Sequence, residues 1–146
     1  MKSISLTKNV ASDVNVSLNP MLGQLLLNNL LSNAIRHNMR EGKIRVELTH
    51  EALIIQNTGF EPNVPTSELF RRFKKGNQTD KSIGIGLAIV KQICEIHHFD
   101  IDYTFQTGMH ILRVGFKEIN SNSRHVSAAA QPETVLLENP APSLSL

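Results

Sequence analysis

The sequence predicts a two-layer α/β sandwich, a mixed β-sheet covered on one face by helices. Two long segments, from about Met21 to Met39 and from near Gly84–Gly86 to about His98, repeat apolar residues at helical spacing. Short runs of alternating apolar and polar residues flank and separate them. With 146 residues, 40% of them hydrophobic, the chain holds one core of useful size and no second domain of normal length.

Taken in order, Ile4 and Leu6, then Val14, Val16 and Leu18, alternate as two half-buried strands. Pro20 punctuates, the first long helix follows, and Glu41-Gly42 closes it as a turn. Ile44, Val46 and Leu48 mark one strand and Leu53-Ile54-Ile55 the next, with Thr49-His50-Glu51 as a hairpin link. Asn57, Gly59, Pro62, Asn63 and Pro65 make 57–65 a loop. A short helix from about Thr66 to Phe73 gathers Leu69, Phe70 and Phe73, and Lys74 to Ser82 is polar. The second long helix carries Leu87, Val90, Cys94 and His97 on one face, with His97-His98 at its end, half core and half surface. A last hairpin takes Ile101, Tyr103 and Phe105 out and Leu112, Val114 and Phe116 back, turning at Thr107-Gly108. Residues 1–119 form the domain. From Ser121 onward twelve of 26 residues are Ser, Ala or Pro, a composition that buries too little surface to offset ordering, so 120–146 is expected to be a disordered tail. The other reading of that stretch makes Val135-Leu136-Leu137 a short docking motif.

Composition excludes several classes. No stretch reaches the roughly 18 apolar residues of a membrane helix, and no signal-peptide pattern opens the chain. A net charge of +2 does not by itself call for a polyanion. No Trp and one Tyr give no stacking platform for single-stranded nucleic acid. The single cysteine, Cys94, precludes an internal disulfide and a cysteine-rich zinc site, so a reducing, cytoplasmic setting is expected, without membrane or nucleic-acid contact by this segment.

Three features suggest a ligand. On the first helix, Leu27, Leu30, Leu31, Ala34 and Ile35 define an apolar face, and Asn29, Asn33, Arg36 and His37 a stripe opposite. Asparagine disfavours helix interiors, yet Asn28, Asn29, Asn33 and Asn38 fall within eleven positions. The stripe is either a solvated face or a cleft wall whose carboxamide oxygens suit Mg²⁺ or its waters. Second, Ser82-Ile83-Gly84-Ile85-Gly86-Leu87 opens a helix whose first amides favour an anion, above all phosphate. It is neither a Walker A loop nor a Rossmann fingerprint, and the alternative is a flexible turn. Third, Asn57-Thr58-Gly59 follows a strand, where a side chain projects over a cleft or an Asx turn forms.

Together and in order, these segments resemble the ATP-binding catalytic domain of sensor histidine kinases, of the Bergerat (GHKL) fold, over about Ile4 to Lys117. Asn29–Asn38 is similar to the N box, Asn57-Thr-Gly59 to the G1 box, Leu69–Lys75 to the F box and Gly84-Ile-Gly86-Leu87 to the G2 box. The resemblance implies ATP and Mg²⁺ as ligands. Asn33 would hold the Mg²⁺ bridging the phosphates, with Asn29 supporting the phosphate side and Arg36 the basic residue nearby. His37 would lie beside the nucleotide. Asn57 would take the place of the Asp that recognises the adenine amino group, next to Gly59. Gly84, Ile85 and Gly86 would bring backbone amides to the triphosphate, with Leu87 closing the motif. Phe73 belongs to the F box, and Lys75 would reach the γ-phosphate. Asn33, Arg36 and Lys75 would thus carry the phosphoryl transfer.

The departures are Asn57 for Asp, Glu61 for the second G1 glycine and Ser82 for the first G2 glycine. Asn57 still offers one acceptor oxygen while its NH₂ faces elsewhere. The phosphoacceptor histidine of such kinases lies on a separate dimerisation domain, with a response regulator downstream. His50-Glu51 begins like its motif, but a strand link without a following Pro is the wrong context. Position 29, where gyrase-like relatives place a water-activating Glu, is an amide, so hydrolysis of ATP is expected to be negligible. Two rivals stand beside this reading: nucleic-acid contact through Arg71, Arg72, Lys74 and Lys75, and a degenerate, non-catalytic nucleotide-binding or interaction module.

Overall fold

The computed structural model describes residues 3–70, 83–116 and 133–135, with backbone alone at 83–84 and 133–135. The first strand, β1, is Ser5–Val10, and the helix α1, Pro20–Arg36, leads to β2, Lys43–Leu48, and β3, Ala52–Thr58. A 3₁₀ turn, Thr66–Glu68, follows, and then come α2, Ile83–Ile96, β4, Asp100–Gln106, and β5, Met109–Gly115. A three-residue β6, Glu133–Val135, completes one six-stranded sheet in the order β4-β5-β3-β2-β1-β6. The β1–β2 pair is parallel, so its connection must cross over the sheet, and α1 is that crossover. All other pairs are antiparallel.

Register sorts the inward side chains into three rows. Val10, Leu48, Leu53, Val114 and Ile101 form one, and Lys8, Val46, Ile55, Leu112 and Tyr103 the next. The third is Leu6, Ile44, Asn57, His110 and Phe105. The opposite face carries Thr7, Arg45, Gln56, Arg113 and Asp102, with an exposed Arg113–Asp102 ion pair at 3.7 Å. The helices cover the inward face side by side: Leu26, Leu30 and Ala34 of α1 and Leu87, Val90, Ile93 and Cys94 of α2 are buried against the strands. Each fully buried Leu or Ile there contributes about 1.5–3 kcal/mol. Burial, and secondarily the Glu95 charge, pushes the Cys94 thiol up to about 12, which makes it a core residue rather than a nucleophile.

The expected sandwich is therefore present, with corrections in detail. Residues 14–18 form no strand. Val14 is buried and Val16 and Leu18 pack on the core, so the alternation reports contact without a ladder. The α1 face is Gly23, Leu26, Leu30 and Ala34, and Ile35, expected inside, is 42% exposed. Asn19 caps the helix, accepting from Met21 N at 3.0 Å and Leu22 N at 3.3 Å, with Pro20 in the first position. The helix stops at Arg36, short of Met39, because Asn38 takes over the backbone: its Nδ2 donates to Lys43 O at 3.1 Å and its Oδ1 accepts from Met39 N at 2.9 Å. Asn57 and Thr58 end β3 instead of opening the loop. Within the stretch expected to be a tail, Glu133–Val135 pair with Leu6–Lys8.

Candidate functional site

The site is assembled where the C-terminal half of α1, the start of α2 and the third row of the sheet converge. Asn29 and Asn33 lie one turn apart on α1, both half-buried. Asn29 Nδ2 donates to Leu25 O at 2.8 Å, which leaves Oδ1 pointing across to α2. There, a Cβ on Gly86 would stand 3.0 Å from that Oδ1. The two segments singled out for carboxamides and for glycines are thus in contact, and glycine at 86 permits that close approach. Asn33 has no side-chain hydrogen bond to any described residue. Gly84, Ile85 and Gly86 occupy the first turn of α2, whose leading amides have no partner within the helix. Ile85 is 43% exposed, whereas Leu87 is a core residue.

The third row supplies the other wall. Asn57 is buried, and its Nδ2 donates to Thr58 O at 3.0 Å, so Oδ1 is the atom left to accept. Gly59 N donates to Gly108 O at 3.1 Å, tying this turn to the β4–β5 hairpin tip. A Cβ on Gly59 would stand 2.3 Å from His110 Nε2 and 2.8 Å from His37 O, so His37 also comes to this turn. Arg36 is exposed on the last turn of α1. Asn38, grouped with the cleft by sequence, instead closes the α1–β2 turn, accepting a hydrogen bond from Thr58 Oγ1. Phe73, Lys75 and the basic cluster Arg71, Arg72 and Lys74 lie outside the described residues, as does Ser82. His50 and Glu51 sit in the β2–β3 turn, and His97 Nδ1 faces Ile93 O at 2.9 Å, its ring stacked on Phe99.

Sequence reasoning passed over His110. It is buried opposite Asn57, and its Nδ1 is hydrogen-bonded to the Tyr103 hydroxyl. Extending the period of Leu112 and Val114 back by two positions places it on the inward face. Burial first, then the neighbouring His37, lowers its pKa below the ordinary histidine value, with a hydrogen bond to the Phe60 backbone opposing them. Tyr103 is itself pushed up to about 12 by burial. Among the described residues no group of three or more His, Cys, Asp or Glu could hold a metal, so a cation here would rely on amide oxygens and ligand phosphates. Among them too, no helix is long and apolar enough to cross a membrane.

A helix-covered mixed sheet in which a carboxamide of one helix meets a glycine of the other defines an α/β sandwich. The profile of the family described as "Histidine kinase-, DNA gyrase B-, and HSP90-like ATPase" matches residues 19–127, well over half of the chain, and the chain belongs to that family. The heme sensor protein HssS of Staphylococcus aureus, a relative, is 40% identical over 97 residues, 62% of this chain and 21% of its own. The chain therefore spans about one fifth of the length of such curated relatives. The catalytic domain of the histidine kinase ThkA superposes with a TM-score of 0.63 at 20% identity, over 78% of each chain. The cytoplasmic segment of the histidine kinase QseC does so at 0.58 and 22%, over 80% of this chain and 59% of its own. These likenesses establish the histidine-kinase catalytic-domain fold.

Proposed function

We infer that this chain is the catalytic half of a sensor histidine kinase: it binds Mg·ATP in the groove between α1 and α2 and presents the γ-phosphate to a histidine on a separate dimerisation domain. The observation that carries the reading is the close approach of Asn29 to Gly86, which brings a carboxamide of α1 against the glycine-bearing start of a 14-residue helix. A side chain at 86 would fill the space a phosphate needs, and the helix's leading amides favour negative charge. The donor set suits Mg²⁺, which takes few protein oxygens and keeps phosphates and water as its other ligands.

In this scheme the Asn33 carboxamide oxygen holds the cation, and the α2 amides near Gly84–Gly86 hold phosphate oxygens. Held there by Asn33, Mg²⁺ would supply the positive charge that phosphoryl transfer needs. Asn57 Oδ1 accepts from the adenine amino group while Nδ2 stays on Thr58 O. His37 borders the nucleotide, and Arg36 and Lys75 supply the remaining positive charge. Transfer needs alignment and charge more than covalent help, so these roles suffice once an acceptor histidine arrives. An amide at 29 abstracts no proton from water, so the isolated chain keeps its ATP.

Calorimetry with ATP, with and without Mg²⁺, on the native chain and on Asn33→Ala tests the site. Binding that needs Mg²⁺ and falls at least tenfold in the variant is expected, in line with the loss of a charged-group contact worth about 1.5–3 kcal/mol. No heat at millimolar nucleotide overturns the reading. The substitution of Asn57 for Asp favours a second possibility, a non-catalytic nucleotide-sensing module. Fusion to a phosphoacceptor domain separates the two: acid-labile phosphohistidine marks the kinase, and binding without transfer marks the sensor.

A further inference from the structure

His110 has no part in the scheme above, yet it is a buried titratable side chain, 8% exposed, lying directly against the Asn57–Gly59 turn. Several elements close on it. Within the sheet it stands between Asn57 of β3 and Phe105 of β4, whose ring centroid is 4.9 Å away. From β4 the Tyr103 hydroxyl takes its Nδ1. From the loop after β3 the Phe60 backbone hydrogen-bonds the ring, and Gly59 leaves room for Nε2. From the end of α1 comes His37.

Nδ1 faces the Tyr103 hydroxyl and Nε2 lies against Gly59, so in the neutral ring that carries its hydrogen on Nε2, Nδ1 accepts from the Tyr103 O–H and Nε2–H is the donor left for the Phe60 backbone. The neutral ring satisfies both partners and links β4 to the turn. Protonation adds an N–H on Nδ1, so the Tyr103 hydroxyl must turn its own hydrogen away and accept instead, and it buries a cation beside His37. Among the described residues, the titratable groups that face His110 are His37 and Tyr103. Neither is a carboxylate that would welcome the charge, and Asn57 and Phe105 are neutral.

We propose that His110 is a positioning residue for the nucleotide base: as a neutral imidazole it braces the Asn57–Phe60 turn against β4 and fixes where Asn57 Oδ1 is presented, and its protonation in acid, which reverses the Tyr103 hydrogen bond and buries charge beside His37, disturbs that brace and weakens nucleotide binding. This rests on the groove being a nucleotide site. A carboxylate at position 57 would hold an amino group by charge over a range of geometries. A neutral carboxamide makes a bond roughly half as strong and depends more on its placement. His110 therefore sets the selectivity for an amino-bearing base without touching it.

Mg·ATP affinity, measured from about pH 8 to about pH 5.5 across the histidine range, tests this on the native chain, His110→Gln and Tyr103→Phe. Gln stays neutral throughout, so its profile records every other titration in the complex, the nucleotide's own included. The native chain is expected to lose affinity in acid beyond that profile, and both variants to bind about three- to tenfold more weakly at pH 8, as for one lost hydrogen bond. Tyr103→Phe keeps the ring in the core and carries the test alone if His110→Gln fails to fold. Variants that match the native affinity and pH profile overturn the proposal while leaving the nucleotide site standing. Absence of Mg·ATP binding by the folded native chain at every pH overturns both.

Discussion

Gly59 concentrates the packing of the site into one missing methyl group. An alanine Cβ would stand 2.3 Å from His110 Nε2 and 2.8 Å from His37 O. Neither neighbour yields easily: the imidazole is held at both nitrogens, and the carbonyl belongs to the backbone at the end of α1. Gly59→Ala is expected to destabilise the fold by about 1–3 kcal/mol, the usual penalty of overpacking, read as a lower urea midpoint at unchanged slope. A variant as stable as the native chain would show that the turn has slack. At this scale the sequence was legible where a residue type is anomalous for its element. Asn29 and Gly86 stood out as an amide and a glycine on helices, and the structure brings them together. Asn38 stood out equally and serves the backbone instead, because a carboxamide near a helix end satisfies local groups as readily as a ligand. His110 was missed because a lone histidine in a strand has no anomaly until its cross-strand neighbours are known.

The β4–β5 hairpin turns through Thr107 at φ 50° and Gly108 at φ 75°, both left-handed, the arrangement of a type I′ turn whose twist suits antiparallel strands. Gly108 adopts this freely. Thr107 is β-branched, and its Cβ crowds the backbone there. Thr107→Asn should therefore stabilise the domain by about 1 kcal/mol, seen as a higher thermal midpoint. An unchanged or lower midpoint would mean the Thr107 strain is compensated locally. This hairpin was readable from sequence because its turn chemistry is local. The expected strand at 14–18 failed for a non-local reason. Its alternation does place Val14 in the core, but β1 already has β2 on one side and β6 on the other, leaving no ladder for it to join. The length of α1 was overestimated because the apolar period runs past the point where Asn38 diverts the backbone.

For the molecule as a whole, the sheet has two ends, and they differ. β4 closes one with a strand of seven residues, whereas β1 is covered by the three residues of β6. Composition could not foresee that contact, since the pairing of Glu133-Thr134-Val135 with Leu6–Lys8 is a backbone ladder that no apolar period announces. An edge strand left bare is a template for another strand. Deleting residues 132–146 therefore should expose β1 along its full length and produce concentration-dependent self-association by light scattering. It should also lower the thermal midpoint slightly, because only three residue pairs are lost. Nucleotide affinity should be unchanged, since the groove is built by α1, α2, β3 and β5, and β6 lies at the opposite edge of the sheet from β4. A truncated chain that stays monomeric at every concentration would show that β1 is protected by its own side chains. Loss of nucleotide affinity on truncation would instead tie the end of the chain to the groove, a coupling that the strand order argues against.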